Sequence, residues 1–261
     1  MPHDVKAVHP SGVLDITFTE EDHLYRDSYG VEYTSVTTLI HSAFPAFDAV
    51  SAAEKKSQKT GIPAEQYIEE WKAYGEFCAE RGTRTHENCE NQILGNYAAL
   101  HTPVDEDERL RFRAAWYEVE ELKNIYAEIK PEFLVFSPRF SVAGSIDMFC
   151  RKAGNRYALG DWKFVKELRR KSFGGRNGIN KATELIPDCN FFHYALQLNI
   201  YWMILQVEEY VPAGSEVELF LKKYDFEKKC FEHVNLPLLP VPALMLLAYN
   251  VTSDNLDFCP F

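Results

Sequence analysis

Two aspartates placed symmetrically about a turn constrain this chain more than any other feature of its sequence. Asp147 lies seven residues before Gly154 and Asp161 lies seven residues after it, and the residues around Gly154 (RKAGNR) are typical of a turn. A β-hairpin that turns at Gly154 would place the two carboxylates opposite each other. Directly opposed like charges destabilise a strand pair by up to about 1 kcal/mol. We therefore expect a cation between the two side chains.

A lysine follows the second aspartate at strand spacing. Lys163 comes two residues after Asp161, so both side chains point to the same face of a strand. Two carboxylates and one ammonium group on a single sheet face predict a metal site with a cationic neighbour.

Composition limits the class of protein. The chain has 261 residues, of which 46% are hydrophobic and 26% charged, as in ordinary globular proteins. It contains no apolar run long enough to predict a transmembrane helix, and its first residues resemble neither a secretory signal nor a transit peptide. Six cysteines without CxxC spacing predict reduced thiols, and hence an intracellular protein without a zinc ribbon.

Charge is distributed unevenly along the chain. The net charge is -11, but residues 163–181 contain seven Lys or Arg residues and one acid, Glu167, which gives +6 in that segment. Three glycines at 174, 175 and 178 predict that the segment is a mobile loop. Beside an acidic pair, such a loop favours a phosphate backbone as partner, although a solvated surface loop is the simpler interpretation of the charges alone.

The order of periodic segments predicts one α/β domain over residues 1–261 with helices on both faces of a central sheet. Short strands are expected within 14–34, followed by a helix that begins at Ser35 or Thr37. Long helices are expected over 63–95, with a break or bend at Gly75 or Gly82, and over 106–126. Further elements are strands at 133–140, 142–150 and 157–165, a buried helix at 191–207, a hairpin at 217–234, an irregular proline-rich segment and a short helix at 243–248.

Two predicted helices carry further candidate residues. His86 and Glu90 follow Gly82 at intervals of four, so all three lie on one helix face, and imidazole is a frequent metal ligand. In the buried helix, His193, Gln197 and Tyr201 form a second stripe, and a buried amide such as Gln197 needs a hydrogen-bonding partner. Structural roles, as a surface histidine and an internal hydrogen bond, remain open for both sets.

Two weaker candidates lie outside those helices. Glu132 follows Pro131 and could be a further acid at the mouth of the site, although a solvated strand end is the favoured interpretation. The hydroxyls of Ser35 and Thr37 could bind phosphate at a helix N-terminus or simply cap the helix.

Four motifs occur in a familiar order: GxxxH (Gly82 to His86), GxxD (Gly144 to Asp147), DxK (Asp161 to Lys163) and QxxxY (Gln197 to Tyr201). In order and approximate spacing they resemble the RecB-like exonucleases of the PD-(D/E)XK nuclease superfamily. The segment SVTT at 35–38 resembles one found in some phage and mitochondrial members. The resemblance covers residues 35–205 and implies a restriction-endonuclease-like central mixed β-sheet flanked by helices.

The chain departs from the family pattern at two points. Ile146 stands where many members have proline before the first aspartate, although this is common in the RecB-like branch. The chain also lacks the cysteine cluster with which some relatives hold an iron–sulfur centre, so no such cluster is expected.

The resemblance implies a metal-dependent DNA nuclease, more an exonuclease than an endonuclease, acting in DNA processing, recombination or repair. His86, Asp147, Asp161 and the backbone carbonyl of Trp162 would hold one or two Mg²⁺ or Mn²⁺ ions. Lys163 would stabilise charge on the phosphoryl oxygens, supported by Gln197 and Tyr201. Residues that would contact DNA are Ser35, Thr37, Lys166, Arg169, Arg170, Lys171 and Arg176, and the subsidiary candidates are Glu90, Glu132 and His193.

Two alternatives remain from other classes. The chain could be a catalytically inactive DNA-binding or assembly protein on a nuclease-like fold, or a metal-dependent hydrolase of small phosphoesters. The acidic remainder of the chain fits either confinement of DNA to one channel or a protein partner, including a second copy. The expected location is the cytoplasm, or the host cytoplasm for a viral protein.

Overall fold

The computed structural model describes residues 4–254, which form nine strands and six α-helices. The strands are β1 (Val5–Val8), β2 (Asp15–Thr19), β3 (Leu24–Asp27), β4 (Glu32–Ser35), β5 (Glu128–Ser137), β6 (Val142–Arg151), β7 (Arg156–Lys163), β8 (Glu216–Asp225) and β9 (Cys230–Asn235). The helices are α1 (Val36–Ser42), α2 (Ala49–Thr60), α3 (Ala64–Leu94), α4 (Glu106–Ile125), α5 (Asn190–Val207) and α6 (Pro240–Asp254). Parallel and antiparallel strands share one sheet, so the predicted mixed α/β fold is confirmed.

Strand β6 is the centre of the sheet. Its whole length pairs antiparallel with β5, which occupies one of its edges. The other edge pairs with β4 at Val142 and Ala143, and with β7 from Met148 to Arg151. Residues 144–147 therefore lie where β4 and β7 separate along this edge of β6.

The predicted hairpin register is confirmed. Arg151 pairs with Tyr157 and Met148 pairs with Gly160, which centres the hairpin on Gly154. Gly154 has a φ of 72°, a left-handed conformation that glycine adopts without strain. The next position in this register sets Asp147 opposite Asp161, at the end of the paired ladder.

The alternation of faces along β6 breaks at Asp147. In a regular strand, every second residue points to the same face. Here Val142 and Ile146 belong to one hydrophobic core, whereas Met148 and Cys150, at the same spacing, belong to the core on the other face. On the neighbouring strand, Glu132 has a φ of 43°, which is unusual for a residue with a side chain. This local irregularity resembles the bulges that redirect side chains near functional sites.

Helices cover both faces of the sheet. Helices α1, α5 and α6 contribute to the first core, where α5 is buried almost all round, as its apolar sequence predicts. Helices α3 and α4 pack on the second core through residues such as Cys89, Val119 and Leu122. A third, smaller core lies under β2–β5.

Several predicted boundaries differ from the structure. Helix α3 runs without interruption through Gly75 and Gly82, because a helical glycine costs only about 1 kcal/mol relative to alanine. Helix α6 begins at Pro240 rather than at residue 243, because proline lacks an N–H that the first turn of a helix does not use. Helix α2 and strand β1 were not predicted, and β5 begins five residues before the predicted strand.

The basic segment is more ordered than its glycines predict. Asn177 forms a bridge with Pro187, and the Ile179 N–H donates to the Ala43 carbonyl at 2.9 Å. The Thr183 hydroxyl also donates to the Ala43 carbonyl, at 2.9 Å. Its second half is thus fixed to the end of α1, while Gly174 and Gly175, both with positive φ, form the turn in its first half.

No helix within residues 4–254 is long and apolar enough to cross a membrane. Five cysteines lie in that part of the chain and all are free thiols, whereas Cys259 lies outside it.

Gly160 is the position where the hairpin tolerates a side chain least. A Cβ there would lie 2.3 Å from the Phe220 ring and 2.8 Å from the Met148 methyl group. We expect Gly160→Ala to lower the free energy of unfolding by roughly 1–3 kcal/mol, as overpacking does, in urea titrations.

The matched control is Gly75→Ala, because nothing lies within 4 Å of the Cβ that it would add to α3. That variant should be more stable than the wild type by up to about 1 kcal/mol. An unchanged midpoint for Gly160→Ala would contradict the close packing of Phe220 on the hairpin.

Candidate active site

Three carboxylates lie in one row across three neighbouring strands. The β5–β6 register sets Glu132 opposite Asp147, because Pro131 pairs with Met148 and Phe133 with Ile146. The β6–β7 register sets Asp147 opposite Asp161. This row therefore adds Glu132 to the predicted pair.

Helix α3 places an imidazole over this row. His86 Nδ1 lies 3.3 Å from Asp147 Oδ2, which also accepts a hydrogen bond from the Trp162 N–H at 3.0 Å. Ligand atoms of His86, Glu132 and Asp147 all lie within 4.8 Å of one another. Two opposite ligands of Mg²⁺ are separated by about 4.2 Å, so these three donors fit a small divalent cation.

Glu132 is the residue whose environment differs most from its prediction. It was expected to be a solvated strand end, and that interpretation is wrong. Glu132 lies in the middle of β5, half-buried, and accepts a hydrogen bond from the Ser145 hydroxyl at 2.8 Å. Its positive φ turns the strand so that its carboxylate joins His86 and Asp147.

Asp161 and Lys163 form the cationic side of the site. Lys163 Nζ lies 2.7 Å from Asp161 Oδ2, on the shared face that their spacing predicts. The ammonium group also lies 4.7 Å from the centre of the Tyr194 ring, on α5, in a cation–π geometry. Asp161 thus lies between a carboxylate and a lysine, beside the three donors rather than among them.

Burial sets the protonation of these groups. Burial and the neighbouring Glu132 raise the pKa of Asp147 to about 6, and burial and Asp147 raise the pKa of Asp161 to about 7, with Lys163 opposing. Burial and Lys163 lower the pKa of His86 to about 4, which leaves it neutral and able to bind a metal near pH 7. Burial alone would lower the pKa of Lys163, but Asp161 and Asp147 raise it overall, so its charge is kept.

Helix α5 closes the site from the other face of the sheet. Burial raises the pKa of Tyr201 well above its usual value, and the side chain of Gln197, one turn earlier, opposes that shift. The Tyr201 ring lies against Gly144, where an added Cβ would be 2.7 Å from it. Tyr201 therefore fills the gap between β4 and β7, while Gln197, predicted to be buried, is only half-buried.

The subsidiary candidates lie at different distances from this centre. Glu90, one turn after His86, is near enough to raise the pKa of Glu132. His193, also on α5, contacts Asp188, with its Nε2 atom 3.2 Å from Asp188 Oδ1. Ser35 caps α1 by accepting the Thr38 N–H at 3.0 Å, and its hydroxyl lies 3.0 Å from that of Thr37.

The basic residues border a cleft of about 1420 Å³ between α3 and the segment that follows β7. Lys166, Arg169, Lys171 and Arg176 line it, whereas Arg170 stacks on Phe191 at 4.0 Å. Phe164 also lines the cleft, and its ring centre lies 5.6 Å from that of His86. The cleft therefore adjoins the carboxylate row.

No protein-family model and no curated protein matches the sequence. Among solved structures, the chain is similar to the crystal structure of a putative exonuclease from Eubacterium rectale. The two share 10% identity with a TM-score of 0.36, over 85% of this chain and 79% of that one.

The protonation of Asp147 predicts a dependence of stability on pH in the absence of divalent ions. Because its pKa is about 6 in the folded protein against 3.8 ordinarily, the folded state binds this proton more tightly than the unfolded state does. Its contribution to stability is complete below about pH 4 and is lost as the pH rises towards 6. In EDTA, we expect Asp147→Asn to gain stability over the wild type across that range, by urea unfolding.

Asp225→Asn provides a control of opposite sign. Backbone N–H groups of Lys228 and Glu227 lower the pKa of Asp225 to about 2, so this carboxylate stabilises the folded state as the pH rises above 2. That variant should lose stability relative to the wild type between about pH 2 and pH 4. A constant difference between Asp147→Asn and the wild type at every pH would show that Asp147 is not protonated on folding.

Proposed function

We propose that this chain is a divalent-metal-dependent deoxyribonuclease with one PD-(D/E)XK nuclease domain. One observation carries the proposal: the carboxylates of Glu132, Asp147 and Asp161, a neutral imidazole and the Lys163 ammonium converge at the point where the sheet splits. Repulsion within such a row is unfavourable in the free protein, and a bound cation relieves it. The resemblance of the four motifs to RecB-like exonucleases supports the same assignment.

The donor set fits Mg²⁺ or Mn²⁺. Carboxylate oxygens are the preferred ligands of both ions, and an imidazole is compatible with Mn²⁺ in particular. Such an ion would lower the pKa of a bound water and neutralise charge on a scissile phosphate. His86, Glu132 and Asp147 would hold it, with the Trp162 carbonyl and Asp161 as further ligands in the scheme that the motifs imply.

The remaining residues have separable roles. Lys163 keeps its proton because of Asp161, so it acts as a cation that stabilises the growing charge on the phosphoryl oxygens. Asp161 holds the Lys163 ammonium at 2.7 Å and so fixes its position beside the metal ligands. Tyr194, against the Lys163 ammonium, and Tyr201, over Gly144, restrict how far these groups can move.

The nuclease assignment predicts metal-dependent cleavage of DNA. We expect end-labelled linear DNA to be cut with Mn²⁺ or Mg²⁺ and left intact in EDTA, and we expect Lys163→Ala and Asp161→Ala each to slow cleavage about 100-fold or more. Comparison of linear and circular substrates would separate exonuclease from endonuclease action, for which exonuclease is our proposal. Mn²⁺ should also raise the thermal midpoint of the wild type but not of Asp147→Asn, because it binds the folded state.

Lys152→Ala is the matched control, since Lys152 lies at the turn of the same hairpin and pairs with Glu218. Its cleavage rate should equal that of the wild type. DNA binding without cleavage under any divalent ion would instead indicate an inactive assembly protein, and release of phosphate from nucleotides alone would indicate a phosphoesterase.

A further inference from the structure

Beside the carboxylate row lies a cleft whose walls combine cations with exposed aromatic rings. Phe47, Tyr74, Phe77 and Phe173 line it, and 72%, 50%, 49% and 84% of their respective surfaces are exposed. Large apolar rings exposed together around one concavity mark a binding surface rather than a packing surface. Tyr74 and Phe77 come from α3, and Phe173 from the opposite wall.

The charges of the cleft differ in sign from those of the rest of the chain. Six Lys or Arg side chains line it against three carboxylates, whereas the whole chain has a net charge of -11. The three carboxylates are already paired: Asp107 with Arg111, Glu167 with Arg169, and Asp188 with Arg176. Lys166 and Lys171 form no ion pair with described residues, so the cleft presents unneutralised positive charge.

Cations and rings alternate within reach of one another. Lys166 Nζ lies 5.1 Å from the centre of the Tyr74 ring, and the Arg81 guanidinium carbon lies 4.3 Å from that of Phe77. Unpaired bases stack on aromatic rings while cations follow the phosphates between them. A duplex cannot use these rings, because its bases are already stacked on one another.

The cleft leads directly to the candidate metal ligands along α3. Cys78 lines the cleft, and Gly82 and His86 follow it at intervals of four, so these three residues lie along one side of α3 over about 12 Å. Gly82 carries no side chain, and nothing lies within 4 Å of the Cβ that it lacks. The space beside Gly82, between Cys78 in the wall of the cleft and His86 at the carboxylate row, is therefore open.

We propose that this aromatic cleft binds a single nucleic-acid strand through base stacking and delivers its backbone to the carboxylate row. The inference relies on the proposed function for the reaction at the end of the cleft, but strand binding itself does not require cleavage. It assigns the preferred substrate as single-stranded, and it makes Phe77 and Phe173 stacking residues.

Binding can be measured separately from cleavage. Fluorescence anisotropy of a labelled 20-nucleotide oligothymidine, with wild-type protein in EDTA, should show binding at least about tenfold tighter than to the same strand annealed to oligoadenine. Phe77→Ala and Phe173→Ala should each weaken strand binding by about fivefold or more, whereas Phe173→Trp should retain it, because stacking requires a ring. Lys171→Ala should lower the slope of log affinity against log salt by about 0.7.

Tyr29→Ala is the control for the loss of an exposed ring, because Tyr29 is 77% exposed in the turn between β3 and β4, outside the cleft. Equal affinity for strand and duplex, or unchanged binding by both phenylalanine variants, would overturn the proposal and leave the nuclease assignment standing. Tight strand binding by a protein that cleaves no DNA would support the cleft proposal and contradict the nuclease assignment. Binding of oligouridine RNA but not of DNA would support the cleft as a single-strand binding site and contradict DNA as its substrate.

The open path at Gly82 gives a second test. We expect Gly82→Leu to leave strand binding within about twofold, because the rings remain, but to reduce cleavage of the same oligonucleotide at least about tenfold by blocking the approach to His86. Gly75→Leu is the matched control, since Gly75 lies on the same helix with equally open space around it. Equal cleavage by the two variants would show that the strand does not pass over Gly82.

Discussion

Repulsion among three neighbouring carboxylates is the constraint around which the rest of this structure is organised. Glu132, Asp147 and Asp161 lie side by side on adjacent strands, where burial raises the pKa of each. A sheet tolerates such a row only where other groups offset it. Lys163 supplies one positive charge at 2.7 Å from Asp161, and the Trp162 N–H donates to Asp147. These contacts offset part of the repulsion and leave a site suited to a further cation.

The same constraint accounts for the irregular geometry of the sheet. Like charges directly opposed in a regular ladder have little freedom to separate, and here the β6–β7 pairing ends beside Asp147 while the β5–β6 pairing is interrupted at Glu132. The face alternation of β6 breaks at Asp147, and Glu132 adopts a positive φ. Tyr201 then occupies the gap over Gly144, so the distorted strands remain packed. Strain of this kind persists where surrounding contacts fix it, as at many functional sites.

The sequence predicts those parts of the site that follow from the regular residue repeat of a strand or hairpin. The hairpin register follows from the symmetry about Gly154, and the contact of Lys163 with Asp161 follows from a strand period of two. The position of His86 over Asp147 required the motif order, because nothing in its spacing relates α3 to β6.

Other parts depend on departures from regular geometry or on distant packing. Glu132 joins the site only because its backbone leaves the normal strand region, and Tyr194 is one aromatic residue among many on α5. The buried face of α4 likewise does not follow its hydrophobic residues. Glu118 and Arg111 are buried while Trp116 is exposed, and Lys222 of β8 pairs with Glu118. Hydrophobic periodicity assigns charged residues to solvent, and only the tertiary partner reverses that assignment.

Helix α3 connects the two halves of the site through a single rigid element. His86 faces the carboxylate row, and Tyr74 and Phe77 line the cleft about two and a half to three and a half turns earlier on the same helix. The uninterrupted run from Ala64 to Leu94 fixes the distance between them, despite two glycines that lower its intrinsic stability. Nothing packs where the side chain of Gly82 would lie, so packing gives no reason for a glycine there, whereas the approach of a ligand backbone does. Glycine at position 82 lowers the stability of the helix but leaves the space between the aromatic rings and the carboxylates open.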